Sequence, residues 1–147
     1  MPQSERYAYL ANEAVPSRPQ AEERYLSADC GFHLLAFYEG VAHISFGRPT
    51  AALRVFENFM QSPQAASTPE RNRLEIVNQQ GRAAIMAGDL ELYAAYLEAG
   101  TSGALAIGSR KRFDEAINVC RNLAPPEWHR DSRIRAIIEP FELLADS

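Results

Sequence analysis

The sequence predicts an all-α protein made of stacked antiparallel helical hairpins. Apolar residues recur at helical spacing along most of the chain, and no run alternates strictly between apolar and polar residues as a half-buried strand does. Proline and glycine residues stand where this periodicity breaks, which is where helices begin and end. A length of 147 residues suits one domain with its own core. We therefore predict a single domain over residues 1–147.

The breaks in periodicity divide the chain into seven or eight short helices. The segment 61–67, QSPQAAS, is polar and is predicted to be a loop. Thr68 is a suitable N-cap for the helix that follows it, and Asp131 or Ser132 for the last one. Pro140 is expected to end or kink that last helix at Glu139. The predicted helices cover residues 6–15, 19 to about 46, 49 to about 60, 69 to about 88, 90 to about 99, a short helix near 100–109, about 113–123, and a last helix from about 132 whose apolar face includes Phe141.

Composition and charge argue against several classes of function. The chain has 15 Lys and Arg residues against 19 Asp and Glu residues, a net charge of −4, whereas nucleic-acid surfaces are usually basic. No apolar stretch is long enough for a transmembrane helix, and the first residues lack the pattern of a signal peptide. We therefore expect a cytoplasmic protein without a membrane partner, for which direct nucleic-acid binding is unlikely.

Three groups of residues resemble a phosphate-binding, metal-binding or catalytic site, but each lacks a residue that such a site needs. The segment GALAIGSR, 103–110, resembles a phosphate-binding loop but has Ser109 where the lysine is needed. The other two groups are Cys30 with His33 and His43 for a metal, and Cys120 with His129 for a thiol–imidazole pair. The metal group lacks a second ligand pair, and Cys120 falls on an apolar helical face. We predict no catalytic residue, no metal and no cofactor.

A glycine pattern occurs twice in the chain. GVAHISFG begins at Gly40 and GRAAIMAG begins at Gly81, and each second glycine precedes a new helix. A glycine inside a helix lets a second helix approach its backbone closely, so Gly40 is predicted to form a notch that a small residue such as Ala52 fills. The second glycine of each copy, Gly47 or Gly88, is predicted to end its helix in a left-handed conformation.

This pattern resembles the tetratricopeptide repeat, a helix–turn–helix unit of about 34 residues. The family's first-helix glycine, turn glycine, second-helix alanine and aromatic positions fall on Gly40, Gly47, Ala52 and Phe56, and in the second copy on Gly81, Gly88, Tyr93 and Leu97. The order of these motifs also resembles the tetratricopeptide-like regions of some bacterial transcriptional regulators. The resemblance implies a bacterial regulatory or signalling protein that binds a protein or peptide in a groove.

Candidate partner-binding residues are polar or amphipathic and flank the repeated glycines, or belong to the one dense basic run. They are Tyr38, Glu39, His43, Asn78, Gln79, Arg82, Arg110, Lys111 and Arg112. A stack of about three repeats needs capped ends, so we also expect self-association, as in a homodimer. The alternatives are a small-molecule-sensing domain of a transcriptional regulator or a helical enzyme, with a pocket near Trp128, His129 and the basic run.

Overall fold

The computed structural model describes the backbone of residues 21–146 and the side chains of residues 31–141. In this part of the chain the protein is all-helical and contains no strand, which confirms the predicted fold class at that level. The predicted helix at 6–15 and the predicted start of the next helix at Pro19 lie outside the described residues. The helices are α1 (Ala21–Ser45), α2 (Pro49–Met60), α3 (Pro63–Ser67), α4 (Glu70–Ala87), α5 (Leu90–Ile107), α6 (Arg110–Leu123), the 3-10 helix Pro126–Arg130, and α7 (Ser132–Asp146).

The helix α4 lies at the centre of the packing. Helices that follow one another along the chain pack together, as α1 does with α2, α4 with α5 and α5 with α6. Contacts also join helices that are distant in sequence: α4 packs against α1, α2 and α6, and α5 packs against α7. The helix α4 therefore contacts helices on both sides of it in the sequence.

Two clusters of buried apolar residues form the core, and α4 contributes to both. The first cluster lies among α1, α2, α3 and α4 and contains Ala36, Ile44, Ala52, Phe56, Phe59, Ala65, Ile76 and Ala83. The second lies among α4, α5, α6 and α7 and contains Ala84, Tyr93, Ala94, Leu97, Ala116, Ile117, Cys120, Ala124, Ile134 and Ile138. Ile76 and Ala83 belong to the first cluster and Ala84 to the second, so α4 is a common wall of both clusters.

The notch predicted at Gly40 is present, but an aromatic ring fills it. A Cβ atom on Gly40 would overlap the ring of Phe56, which is fully buried. The prediction that Ala52 fills the notch was wrong, because the larger side chain one helical turn further along α2 reaches the glycine. At Gly81 a Cβ atom would lie 3.6 Å from the ring of Tyr93, which is an ordinary contact. The second copy therefore needs no glycine for space.

The turn glycines adopt the predicted conformation. Gly47 and Gly88 have φ angles of 71° and 72°, in the left-handed region that side chains disfavour. The backbone N–H of Gly88 donates to the carbonyl of Ile85, and that of Asp89 donates to Ala84, which closes the end of α4. This arrangement is the common glycine-terminated helix end.

One predicted helix end was wrong, and of the two outcomes predicted at Pro140, an end or a kink, the end does not occur. The helix α5 does not stop near Ala99 but runs to Ile107. Gly103 serves close packing there, since a Cβ atom on it would lie 2.6 Å from Leu74 Cδ2. The helix α7 continues through Pro140 to Asp146, and Phe141, beyond the proline, packs its ring 4.5 Å from that of Phe113. Packing on both sides of Pro140 offsets the loss of one backbone hydrogen bond.

Candidate functional site

A cleft of about 280 Å³ opens between α1, α2 and α3. One face of α1 contributes four side chains at the spacing i, i+3, i+4 and i+7, which places them in a row on the same side of a helix. The helix α2 and the turn into α3 supply the opposite wall. The described residues that line the cleft are Phe32, Leu35, Ala36, Glu39, Val55, Asn58, Phe59, Ser62 and Gln64.

The short helix α3 shapes one end of this cleft, in a segment predicted to be a loop. That prediction was wrong because Ser62, in an extended conformation, is followed by Pro63 at the first helical position, and Ala65 is buried in the first core cluster. Thr68 was predicted to cap α4, but its hydroxyl donates to the carbonyl of Gln64 at 2.8 Å and so closes α3 instead. Pro69 occupies the N-cap position of α4.

Both apolar and polar side chains line the cleft, and three of the polar ones have no partner among the described residues. Glu39 is the one charged residue among the described lining residues. In the described part of the chain, no hydrogen bond or ion pair involves its carboxylate or the side-chain amides of Asn58 and Gln64. Ser62 differs, since its hydroxyl donates to the carbonyl of Phe59 at 2.6 Å. The cleft is therefore of mixed polar and apolar character, and a ligand can pair with the two amides and the carboxylate that have no partner among the described residues.

A buried polar cluster joins α1, α4 and α6 next to the cleft. Its centre is Arg112, which is 6% exposed. Its Nη2 atom lies 2.7 Å from Oε2 of Glu75 and its Nη1 atom 2.6 Å from Oε1 of Glu115, while Nε donates to the carbonyl of Arg71 at 3.0 Å. Asn78 donates from Nδ2 to the carbonyl of Arg112 at 3.1 Å. All three nitrogen atoms of the Arg112 guanidinium therefore bond to groups of the protein itself.

The ring of His33 on α1 connects this polar cluster to the cleft. The residue is 3% exposed, and its ring lies 6.4 Å from that of Phe59, a lining residue. Its Nε2 atom lies 3.5 Å from Oε1 of Glu75, which is longer than a normal hydrogen bond. Desolvation by burial lowers the pKa of His33, Glu75 raises it, nearby Arg112 lowers it, and the backbone of Asn72 raises it, with a net decrease.

The predicted partner-binding residues on α1 lie in different surroundings. Tyr38 is 64% exposed and its ring packs edge-on against Phe37. Glu39 lines the cleft. His43 is half-buried, and its Nδ1 atom has no hydrogen-bond partner in the described part of the chain. These three residues therefore do not form one surface, and Glu39 is the one that belongs to the cleft.

The predicted residues on α4 and α6 divide between the interior and the surface. Asn78 is buried in the polar cluster, while Arg82 donates to Gln79 at 2.9 Å and both are half-buried. The basic run is split, because Arg112 points inward whereas Lys111 is exposed and the side chain of Arg110 is 93% exposed. A cation near the N-terminus of a helix is unfavourable for the helix dipole. For Arg112 at the start of α6, the ion pairs with Glu75 and Glu115 offset this effect.

The residues of the alternative pocket are engaged in packing. The Trp128 ring lies 5.8 Å from that of Tyr93, and the His129 Nε2 atom is 3.0 Å from the carbonyl of Cys120. Cys120 is fully buried, as its apolar spacing predicted. Among the described residues no group of three or more His, Cys, Asp or Glu side chains is placed to hold a metal. The side chain of Cys30 lies outside the described residues.

Comparisons with known proteins add no relative. The chain matches no protein-family model, no curated protein and no solved structure. Among the helices that the structure describes, none has the length and apolar character needed to cross a bilayer.

Proposed function

We propose that the protein is a non-catalytic module that binds a protein or peptide, and that the cleft between α1, α2 and α3 is its binding site. The observation that carries the proposal is that apolar side chains line the cleft beside polar groups on Glu39, Asn58 and Gln64, which have no partner among the described residues. A volume of about 280 Å³ is at the lower end of the range of about 300–1,000 Å³ usual for small-molecule and cofactor pockets. It suits one or two side chains of a larger partner.

The repeat interpretation belongs to this proposal. The helices that would be the first helices of each unit, α1, α4 and α6, contact one another in sequence, and the glycines at 40, 47 and 88 have the roles expected of a helical hairpin. These features support a tetratricopeptide-like stack. A regulatory or signalling role in a bacterium rests on the resemblance of the motifs alone.

The test is a selection of binding peptides on the full chain. A displayed library of random 12-residue peptides is selected on the immobilised protein, and recovered peptides are synthesised and titrated by calorimetry. The variant Asn58→Arg fills the cleft from an exposed position, and Asn118→Arg makes the same change at an exposed position on α6. We expect Asn58→Arg to abolish binding and Asn118→Arg to leave it unchanged. Equal binding to both variants would place the site elsewhere and refute the proposal.

A further inference from the structure

The apolar residues that line the cleft can accept an apolar side chain. Phe32 is 38% exposed although it is aromatic, Val55 is half-buried, and Phe59 is 7% exposed. Covering this surface removes apolar area from water, which favours binding. A small apolar surface beside polar groups favours an anchor side chain held by a partner, as in other peptide-binding sites.

The negative charge of Glu39 favours a particular kind of residue next to the apolar anchor of the partner. Glu39 lies one helical turn after Leu35, at the end of the row of α1 side chains that line the cleft. It is the one charged residue among the described lining residues, and its carboxylate has no ion pair in the described part of the chain. A Lys or Arg side chain beside the anchor would pair with this carboxylate, whereas an acidic side chain there would be repelled.

The two free amides favour an extended backbone in the partner. Each of Asn58 and Gln64 carries both a hydrogen-bond donor and an acceptor, and so can pair with the N–H and C=O of one peptide unit. A helical partner has most of these groups paired internally, while an extended segment leaves them available. The amides lie on the wall opposite Glu39, on α2 and α3.

From these three features we infer that the cleft binds an extended segment of a partner protein in which an apolar residue stands next to a lysine or arginine. The inference rests on the proposed function, because it specifies the partner of the same cleft. In this arrangement Glu39 pairs with the basic residue. The apolar residue packs against Phe32, Val55 and Phe59, and the backbone of the segment bonds to Asn58 and Gln64.

The experiment compares the recovered peptides with and without their basic residue. Each synthetic peptide is titrated against the full-length wild-type protein, Glu39→Gln and Glu98→Gln, where Glu98 is an exposed glutamate on α5 away from the cleft. We expect a lysine or arginine beside an apolar residue in the selected sequences. We also expect Glu39→Gln to weaken binding about twofold to fivefold, with Glu98→Gln unchanged. Replacing the basic residue of the peptide by glutamine should weaken wild-type binding equally and Glu39→Gln binding little.

The failure of this inference and of the proposed function can be distinguished. Peptides that lose binding to Asn58→Arg but contain no basic residue and ignore Glu39→Gln would overturn the inference and leave the cleft as a peptide site. Peptides that bind Asn58→Arg normally, or the absence of any recovered peptide, would overturn both. If the protein is instead a dimer that dissociates on Asn58→Arg, the occupant is a second copy of the chain and the inference is wrong.

Discussion

The Nη2 atom of Arg112 lies 2.7 Å from the Oε2 atom of Glu75, and this buried ion pair joins α6 to α4. The guanidinium is almost completely shielded from water, yet all of its nitrogen atoms have oxygen partners. Buried charges are retained in proteins where they are paired in this way, because an unpaired one is costly. The pair therefore fixes how α6 packs against α4.

We expect Arg112→Met to lower the free energy of unfolding by about 3 kcal/mol, because it leaves Glu75 and Glu115 without their cation. The two carboxylates keep some exposure to water, 24% and 36% of their side chains, which limits the loss. Arg110→Met is the matched control, with the same change two residues away at a side chain that is 93% exposed. It should change stability by less than about 0.5 kcal/mol. Urea denaturation measures both, and equal losses would contradict the role assigned to Arg112.

The two repeated glycines should respond to alanine with opposite signs. Gly40→Ala places a methyl group inside the ring of Phe56, and overpacking of this kind costs about 1–3 kcal/mol. Gly81→Ala meets only an ordinary contact with Tyr93, so the better helix propensity of alanine should stabilise the protein by up to about 1 kcal/mol. Thermal unfolding of the two variants measures the difference. A loss of stability in both would contradict the packing described at Gly81.

The buried imidazole of His33 should make stability depend on pH. Burial lowers the pKa of His33 below its usual 6.5, so the unfolded chain binds a proton more readily than the folded protein. The contribution of neutral His33 is therefore complete above about pH 6.5 and is lost as the pH falls below that value. The groups that face the ring and set this balance are Glu75, Arg112 and the backbone of Asn72.

This pH dependence can be measured by urea denaturation between pH 7.5 and pH 5.5, above the range in which carboxylates with ordinary pKa values titrate. The wild-type protein should lose stability across this interval, and His33→Gln should lose less. The variant His129→Gln serves as a control, since that residue lies outside the buried cluster and contacts the carbonyl of Cys120. Equal slopes for wild type and His33→Gln would refute the assignment.

The expectation of a homodimer stays a prediction. Several large apolar side chains are exposed on the single chain, among them Phe46, Leu105 and Leu123. Pairing with a second copy would cover some of this surface and stabilise the assembly. Native mass spectrometry of the purified chain over a range of concentrations should show a dimer without added mass. A monomer at every concentration would contradict the expectation.

The helical class and several boundaries could be predicted because they depend on local chemistry. Periodic apolar residues specify a helix face, and Gly47 and Gly88 end their helices for a steric reason that acts at the residue itself. Asp131 was correctly proposed as a cap, since its Oδ1 atom accepts from the N–H of Arg133 at 2.9 Å. Such features need no knowledge of the rest of the fold.

The errors in the helix boundaries come from contacts between distant segments. The helix α5 was predicted to end near Ala99, but Gly103 lies inside it, where the lack of a side chain makes room for Leu74 of α4. Ser62 and Pro63 carried a sequence signal for the start of α3, the combination of a capping residue with proline, yet the polar composition of the segment hid it.

Most of the cleft could not be predicted from the sequence for a similar reason. Glu39 was among the candidate residues, but Phe32, Val55, Asn58 and Gln64 were not. Their side chains meet only after α1, α2 and α3 pack together. Conversely, Arg112 looked like a surface cation because its run with Arg110 and Lys111 gives no sign of the carboxylates of Glu75 and Glu115 around it.

The central place of α4 has a consequence for how the protein unfolds. Since α4 supplies Ile76 and Ala83 to one core cluster and Ala84 to the other, we expect the two halves to unfold together. Trp128, the single tryptophan, packs on the second cluster and reports that half by fluorescence, while far-UV circular dichroism reports all helices. The two signals should therefore give the same midpoint, as in a single cooperative transition.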